Sequence, residues 1–69
     1  MKFGAQNQLK GEVVDIKTGQ VMCEVKVQIK EGARMCSVMT VDSLHALGLK
    51  RGDPVTVLAK AVNVLLATE

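Results

Sequence analysis

The sequence predicts an all-β fold, a five-stranded OB-like barrel with one short helix between strands 3 and 4. Three observations carry this. Apolar residues recur with period two along most of the 69 residues, the pattern of half-buried strands. Helix punctuation is confined to Thr40–Asp53. The resulting order of three strands, a helix and two strands matches a small OB barrel capped at one end by its helix.

The first strand covers Asn7 to Ile16, with Leu9, Val13, Val14 and Ile16 as its apolar positions. Gly11 interrupts it where a barrel strand bends or bulges. Lys17-Thr18-Gly19-Gln20 is a turn, after which Val21, Cys23, Val25, Val27 and Ile29 alternate strictly with Met22, Glu24, Lys26 and Gln28. This is the clearest half-buried strand of the chain. Lys30-Glu31-Gly32-Ala33 forms the next turn, with Gly at its left-handed position, and Arg34 to Met39 returns as a third strand ending at Thr40.

In the helix, Asp42 is the expected N-cap, Leu44 and Leu47 share one face, and Gly48-Leu49 make a Schellman closure. Two turns are too few to stand alone, so the helix rests as a lid on the strands. Pro54, lacking an N–H, opens a fourth strand in which Val55, Val57 and Ala59 oppose Thr56, Leu58 and Lys60. Val62 to Leu66, apolar except for Asn63, reads as a fifth strand covered on both faces.

Residues 1–69 make one domain, and a chain of this size buries only about 60% of its unfolded surface. Hydrophobic residues reach 48% with a single aromatic, Phe3, so apolar surface is expected to continue into contacts between copies. Nine Lys and Arg against seven Asp and Glu leave a net charge of +2, scattered along the chain. No basic patch marks a duplex-binding surface, and one aromatic cannot build the stacking platform of a single-strand binder; no nucleic-acid partner is expected. No apolar run reaches the roughly 20 residues that cross a bilayer, so no membrane role is expected either. Without a signal peptide, the chain reads as cytoplasmic and its two cysteines as reduced.

Catalytic chemistry has little support. His45 is the only histidine and reads as an exposed position on the lid helix. Cys23 and Cys36 lack metal-ligand spacing and read as small core residues. Thr40 and Ser43 bring two hydroxyls to the helix start, where free N–H groups also point. They either cap the helix or help hold an oxyanion, and the local sequence favours the cap. Lys60, a cation in an apolar region, is either an outward-facing strand residue or the complementary charge.

The run Ala5-Gln6-Asn7-Gln8-Leu9-Lys10-Gly11, the segment from Asp42-Ser43-Leu44 to Leu47-Gly48-Leu49, Gly52-Asp53, and Lys60-Ala61 with Val64 resemble the molbindin family. These are small molybdenum–pterin-binding proteins, and the similarity runs over essentially the whole chain. The resemblance implies an OB-like barrel assembled as a homohexamer, a trimer of dimers, that stores molybdate or tungstate in the cytoplasm without enzymatic activity. It leaves any association with a pterin open.

The family holds its anion between subunits. Carried over, the residues are Thr40 and Ser43, then Gly4, Ala5, Gln6 and Asn7, then Lys60 and Ala61. A deprotonated tetrahedral dianion offers only acceptors, so donors alone suit it, whereas a protonated phosphate would leave one O–H unpaired at about 1–3 kcal/mol. The family's usual opening is Ser-Ala-Arg-Asn, where this chain has Gly4-Ala5-Gln6-Asn7. Losing a charged hydrogen bond of about 1.5–3 kcal/mol implies binding weaker by roughly ten- to a hundredfold. The alternative is an oligomeric module of the same build that has lost or altered oxyanion binding.

Overall fold

The computed structural model describes residues 7–68. Strands β1 (Asn7–Thr18), β2 (Met22–Ile29) and β3 (Arg34–Thr40) are followed by helix α1 (Val41–Leu47), strand β4 (Pro54–Ala59) and a 3₁₀ turn at Ala61–Asn63. The strands form one antiparallel sheet in the order β3-β2-β1-β4, curled into a half-barrel with α1 across one end. β1 is the spine: its first half pairs with β4 and its second with β2, overlapping at Gly11 and Glu12.

The inner face follows the alternation in the sequence. Cys23, Val25, Val27 and Ile29 of β2 are buried and pack with Val13 and with Leu44 of the helix. The register places Met35, Ser37 and Met39 of β3 on this same face, and Cys36 and Val38 outside. Cys36 is therefore exposed rather than a core residue, because it is an even-numbered position on a strand whose odd-numbered positions line the barrel.

Gly11 is not the bulge. The pairing shifts between Val13 and Asp15, and the carbonyl of Val14 accepts a hydrogen bond from Arg51 Nε at 3.2 Å. Gly11 answers a packing demand instead: a Cβ there would lie 2.6 Å from the Gln28 carbonyl oxygen. Beyond the bulge β1 runs to Thr18, so the turn begins at Gly19, and Val21 stands exposed before β2.

The largest difference from expectation is the fifth strand. Among the described residues Val62 to Leu66 pairs with no strand of the sheet: Ala61–Asn63 forms the 3₁₀ turn and the residues after it are exposed, Leu65 at 91% and Leu66 at 92%. Among the described residues the sheet has four strands, not five, because the place of a closing strand between β3 and β4 is left open. A cleft of ≈ 210 Å³ occupies it, floored by Val13, Val25 and Val27 and walled by Met39 and Val57. Ser37 shows the consequence, since it faces inward and is still exposed.

Candidate functional site

Helix α1 starts two residues earlier than expected, with Thr40 and not Asp42 before its first turn. Thr40 is its N-cap, with extended backbone angles (φ −72, ψ 152), and its Oγ1 accepts from the Ser43 backbone N–H at 3.1 Å. Asp42 lies within the first turn, where its charge complements the helix dipole. The hydroxyl of Thr40 also meets that of Ser43 at 2.9 Å, so the two oxygens form a connected pair on the exposed side of the helix start. One hydroxyl hydrogen of such a pair is taken up between the oxygens and the other is available to an acceptor from outside.

Gly48 closes the other end in the left-handed region (φ 66), donating to Leu44 and His45 carbonyls, and Leu49 N–H reaches Leu44 at 3.4 Å. This is the expected Schellman arrangement. It turns Leu49 back toward the core, while Leu44 is buried and Leu47 lies at the open cleft, 64% exposed.

Asn7, Lys60 and Ala61 meet at a different place. Asn7 opens β1 opposite Ala59, the last residue of β4, and its Nδ2 donates to the Ala59 carbonyl at 3.3 Å. Lys60 follows directly, outside β4, and caps the 3₁₀ turn that Ala61 begins. Both are exposed, and among the described residues no ion pair is formed by Lys60. Gly4, Ala5 and Gln6 lie outside the described residues.

The candidate donors thus fall into two groups, Thr40 with Ser43 and Asn7 with Lys60–Ala61. Asn7 and Ala59 share a cleft with Met35. Thr40 lies five residues farther along β3, about 17 Å at roughly 3.3 Å per residue. A tetrahedral oxyanion needs all its donors within about 3 Å of its oxygens, so one chain cannot present both groups to one ion.

Other candidates stay apart. Cys23 is buried on β2, its Sγ 3.9 Å from the Thr40 carbonyl oxygen, and Cys36 points to the opposite face. Among the described residues no group of His, Cys, Asp and Glu could hold a metal ion, and no helix is long and apolar enough to cross a membrane. The open β3–β4 cleft was missed from sequence; the signal was the concentration of aliphatic residues in Val62–Leu66.

Comparison with known proteins places these observations. The pattern of the TOBE domain matches residues 4–66. Molybdenum-pterin-binding protein 2 of Clostridium pasteurianum is 39% identical over 66 residues, covering 96% of this chain and 97% of that protein. The high-resolution structure of a molybdate-binding protein from Sporomusa ovata superposes with a TM-score of 0.90 at 32% identity, covering 99% of this chain and all of that one. The structure of ModG, a cytoplasmic molybdate-binding protein with molybdate bound, superposes with a TM-score of 0.83 at 36% identity, over 88% of this chain and 43% of that one.

Proposed function

The chain belongs to the TOBE-domain family, and from that premise we propose that it is a cytosolic molybdate-binding protein that stores and buffers molybdate or tungstate at contacts between its copies. The observation that carries the interface is the separation of the two donor groups by about 17 Å along β3. A second copy removes the difficulty by bringing its Asn7, Lys60 and Ala61 to the Thr40–Ser43 pair of the first. The molybdate-bound relative and the molybdenum-pterin-binding relatives supply the choice of anion.

Copies meet, in this reading, where each barrel is open. The cleft between β3 and β4 is apolar and flanked by two strand edges with unpaired backbone groups. The segment Val62–Leu66 is apolar, exposed and of strand length. Placed in a neighbour's cleft, it covers the half-buried Met39, Val55 and Val57, satisfies both edges and removes its own leucines from water, at about 25 cal/mol per Å². The same exchange draws Lys60 and Ala61, which precede the segment, to the boundary between copies.

Lys60 supplies the positive charge, Thr40 and Ser43 hydroxyl donation, and Gly4, Ala5, Gln6 and Asn7 amide donors, with the Ala61 N–H beside the lysine. These are binding roles, and no bond is made or broken. The subunit number of the family resemblance is six, as a trimer of dimers. Calorimetric titration tests the whole reading: molybdate and tungstate give saturable heat and phosphate at pH 7 gives far less. No heat at millimolar molybdate overturns it in favour of an assembly module without anion binding.

A further inference from the structure

We infer that Met35 and Met39 make the association of copies redox-sensitive: hydrogen peroxide that converts their thioethers to sulfoxides on a free subunit keeps that subunit from joining others. This rests on the proposed function for one thing, the covering of the β3–β4 cleft by a neighbouring copy. Both residues occupy odd-numbered positions of β3 and face inward, Met39 opposite Cys23 and Met35 opposite Val27. Those partners on β2 are buried, yet both methionines are only half-buried, because β3 is an outermost strand of the sheet among the described residues. Met39 walls the apolar cleft with Val55 and Val57. Met35 lies in a second cleft with Asn7 and Ala59, beside one of the two donor groups. The two thioethers thus stand at both places that a second copy has to cover.

The chemistry is a single oxygen transfer. The sulfur lone pair attacks one peroxide oxygen, the O–O bond breaks, the thioether is oxidised to a sulfoxide and the peroxide is reduced to water. What changes is polarity, since a flexible apolar side chain becomes a polar one with an acceptor oxygen. In a separated subunit that oxygen meets water. Under a neighbour's aliphatic side chains it meets no donor, and a buried acceptor without a donor carries a desolvation penalty. Oxidation therefore penalises the covered state and hardly touches the open one, and only such a difference moves an equilibrium. Assembly in turn shields the sulfurs, so the device acts on subunits before they assemble. Met22 supplies the contrast: it is 46% exposed and pairs with Thr40 on the outer face, away from both clefts.

Sedimentation velocity over a dilution series of the peroxide-treated chain tests this, with peptide mass spectrometry locating each added oxygen. Dithiothreitol after the treatment reverses sulfenic acids at Cys23 and Cys36 and leaves sulfoxides in place. Peroxide on dilute protein is expected to add one oxygen each to Met35 and Met39 and to raise the concentration needed for assembly roughly tenfold or more, the effect of one such unpaired group. Methionine sulfoxide reductases, one for each sulfoxide epimer, restore the parent's behaviour. The double variant Met35→Leu, Met39→Leu, a volume-conserving exchange, is expected to assemble like the parent and to do so equally after peroxide, whereas Met22→Leu stays sensitive. Three results overturn the inference and leave the proposed function standing: assembly at the parent's concentration with both sulfoxides present, failure of peroxide to reach either methionine, or a leucine double variant as sensitive as the parent. A parent that is a single folded subunit at every concentration removes both. Should the double variant fail to fold, reductase recovery in the Met22→Leu protein decides.

Discussion

At the scale of single residues, Gly11 and Lys60 show how differently one-letter information translates. Gly11 stands where β1 pairs with β2 and β4 at once, and a Cβ would meet a backbone oxygen at 2.6 Å, which no rotamer change relieves. Gly11→Ala is expected to destabilise the fold by about 1–3 kcal/mol through overpacking, read as a lower midpoint in urea with the slope unchanged. Lys60 carries no such packing constraint. Lys60→Ala is expected to weaken tungstate binding at least tenfold, the loss of a charged hydrogen bond of about 1.5–3 kcal/mol, with sedimentation showing the assembly intact. Unchanged affinity would remove Lys60 from the site. The alternation of β2 made its four buried residues readable in advance. Cys36 was not readable, because β3 contains polar and apolar residues on both parities and only its register against β2 assigns the faces.

At the scale of elements, α1 is held by its ends. A seven-residue helix has too few internal hydrogen bonds to form on propensity, so the Thr40 cap, the Gly48 closure and the burial of Leu44 do most of the work. Thr40→Ala removes the acceptor for the Ser43 N–H and is expected to cost about 1 kcal/mol, a fall of about 4–8 °C in the melting midpoint for a domain of this size. Thr40→Ser should recover most of it. A Thr40→Ser protein as unstable as the alanine variant would show that the methyl group, not the hydroxyl, matters. The sequence placed this helix correctly but gave the cap to Asp42, since Thr40 and Asp42 are both good caps and only the backbone angles decide where the strand stops. The bulge likewise sits at Val14 and not at the glycine, where Arg51 Nε reaches the carbonyl that the ladder leaves unpaired.

For the whole molecule, the governing fact is an unfinished barrel. Its sheet leaves a cleft whose walls, with Met39, Val55 and Val57, are only half-buried, and its C-terminal segment carries exposed aliphatic surface at Val62, Leu65 and Leu66. Deleting residues 62–69 is expected to abolish assembly and with it molybdate binding, because the cleft stays wet and Lys60 no longer lies against a second chain. Sedimentation and calorimetry on the same sample check both, and a truncated protein that still assembles and binds would refute the link between them.

Strand alternation, the glycine turns and the helix signals are local properties, and the sequence by itself determined them: a curled, mainly β chain with a short lid and too much aliphatic surface for its size. What only the tertiary structure decided is where that surplus lies. Val62–Leu66 has the composition of a buried strand, yet a strand exists only when another edge pairs with it. Whether that edge belongs to the same chain depends on the direction in which the Lys60–Asn63 turn sends the backbone. Periodicity contains no such directional information, and the same limit explains why two donor groups that look like one motif set lie at separate places on a single chain.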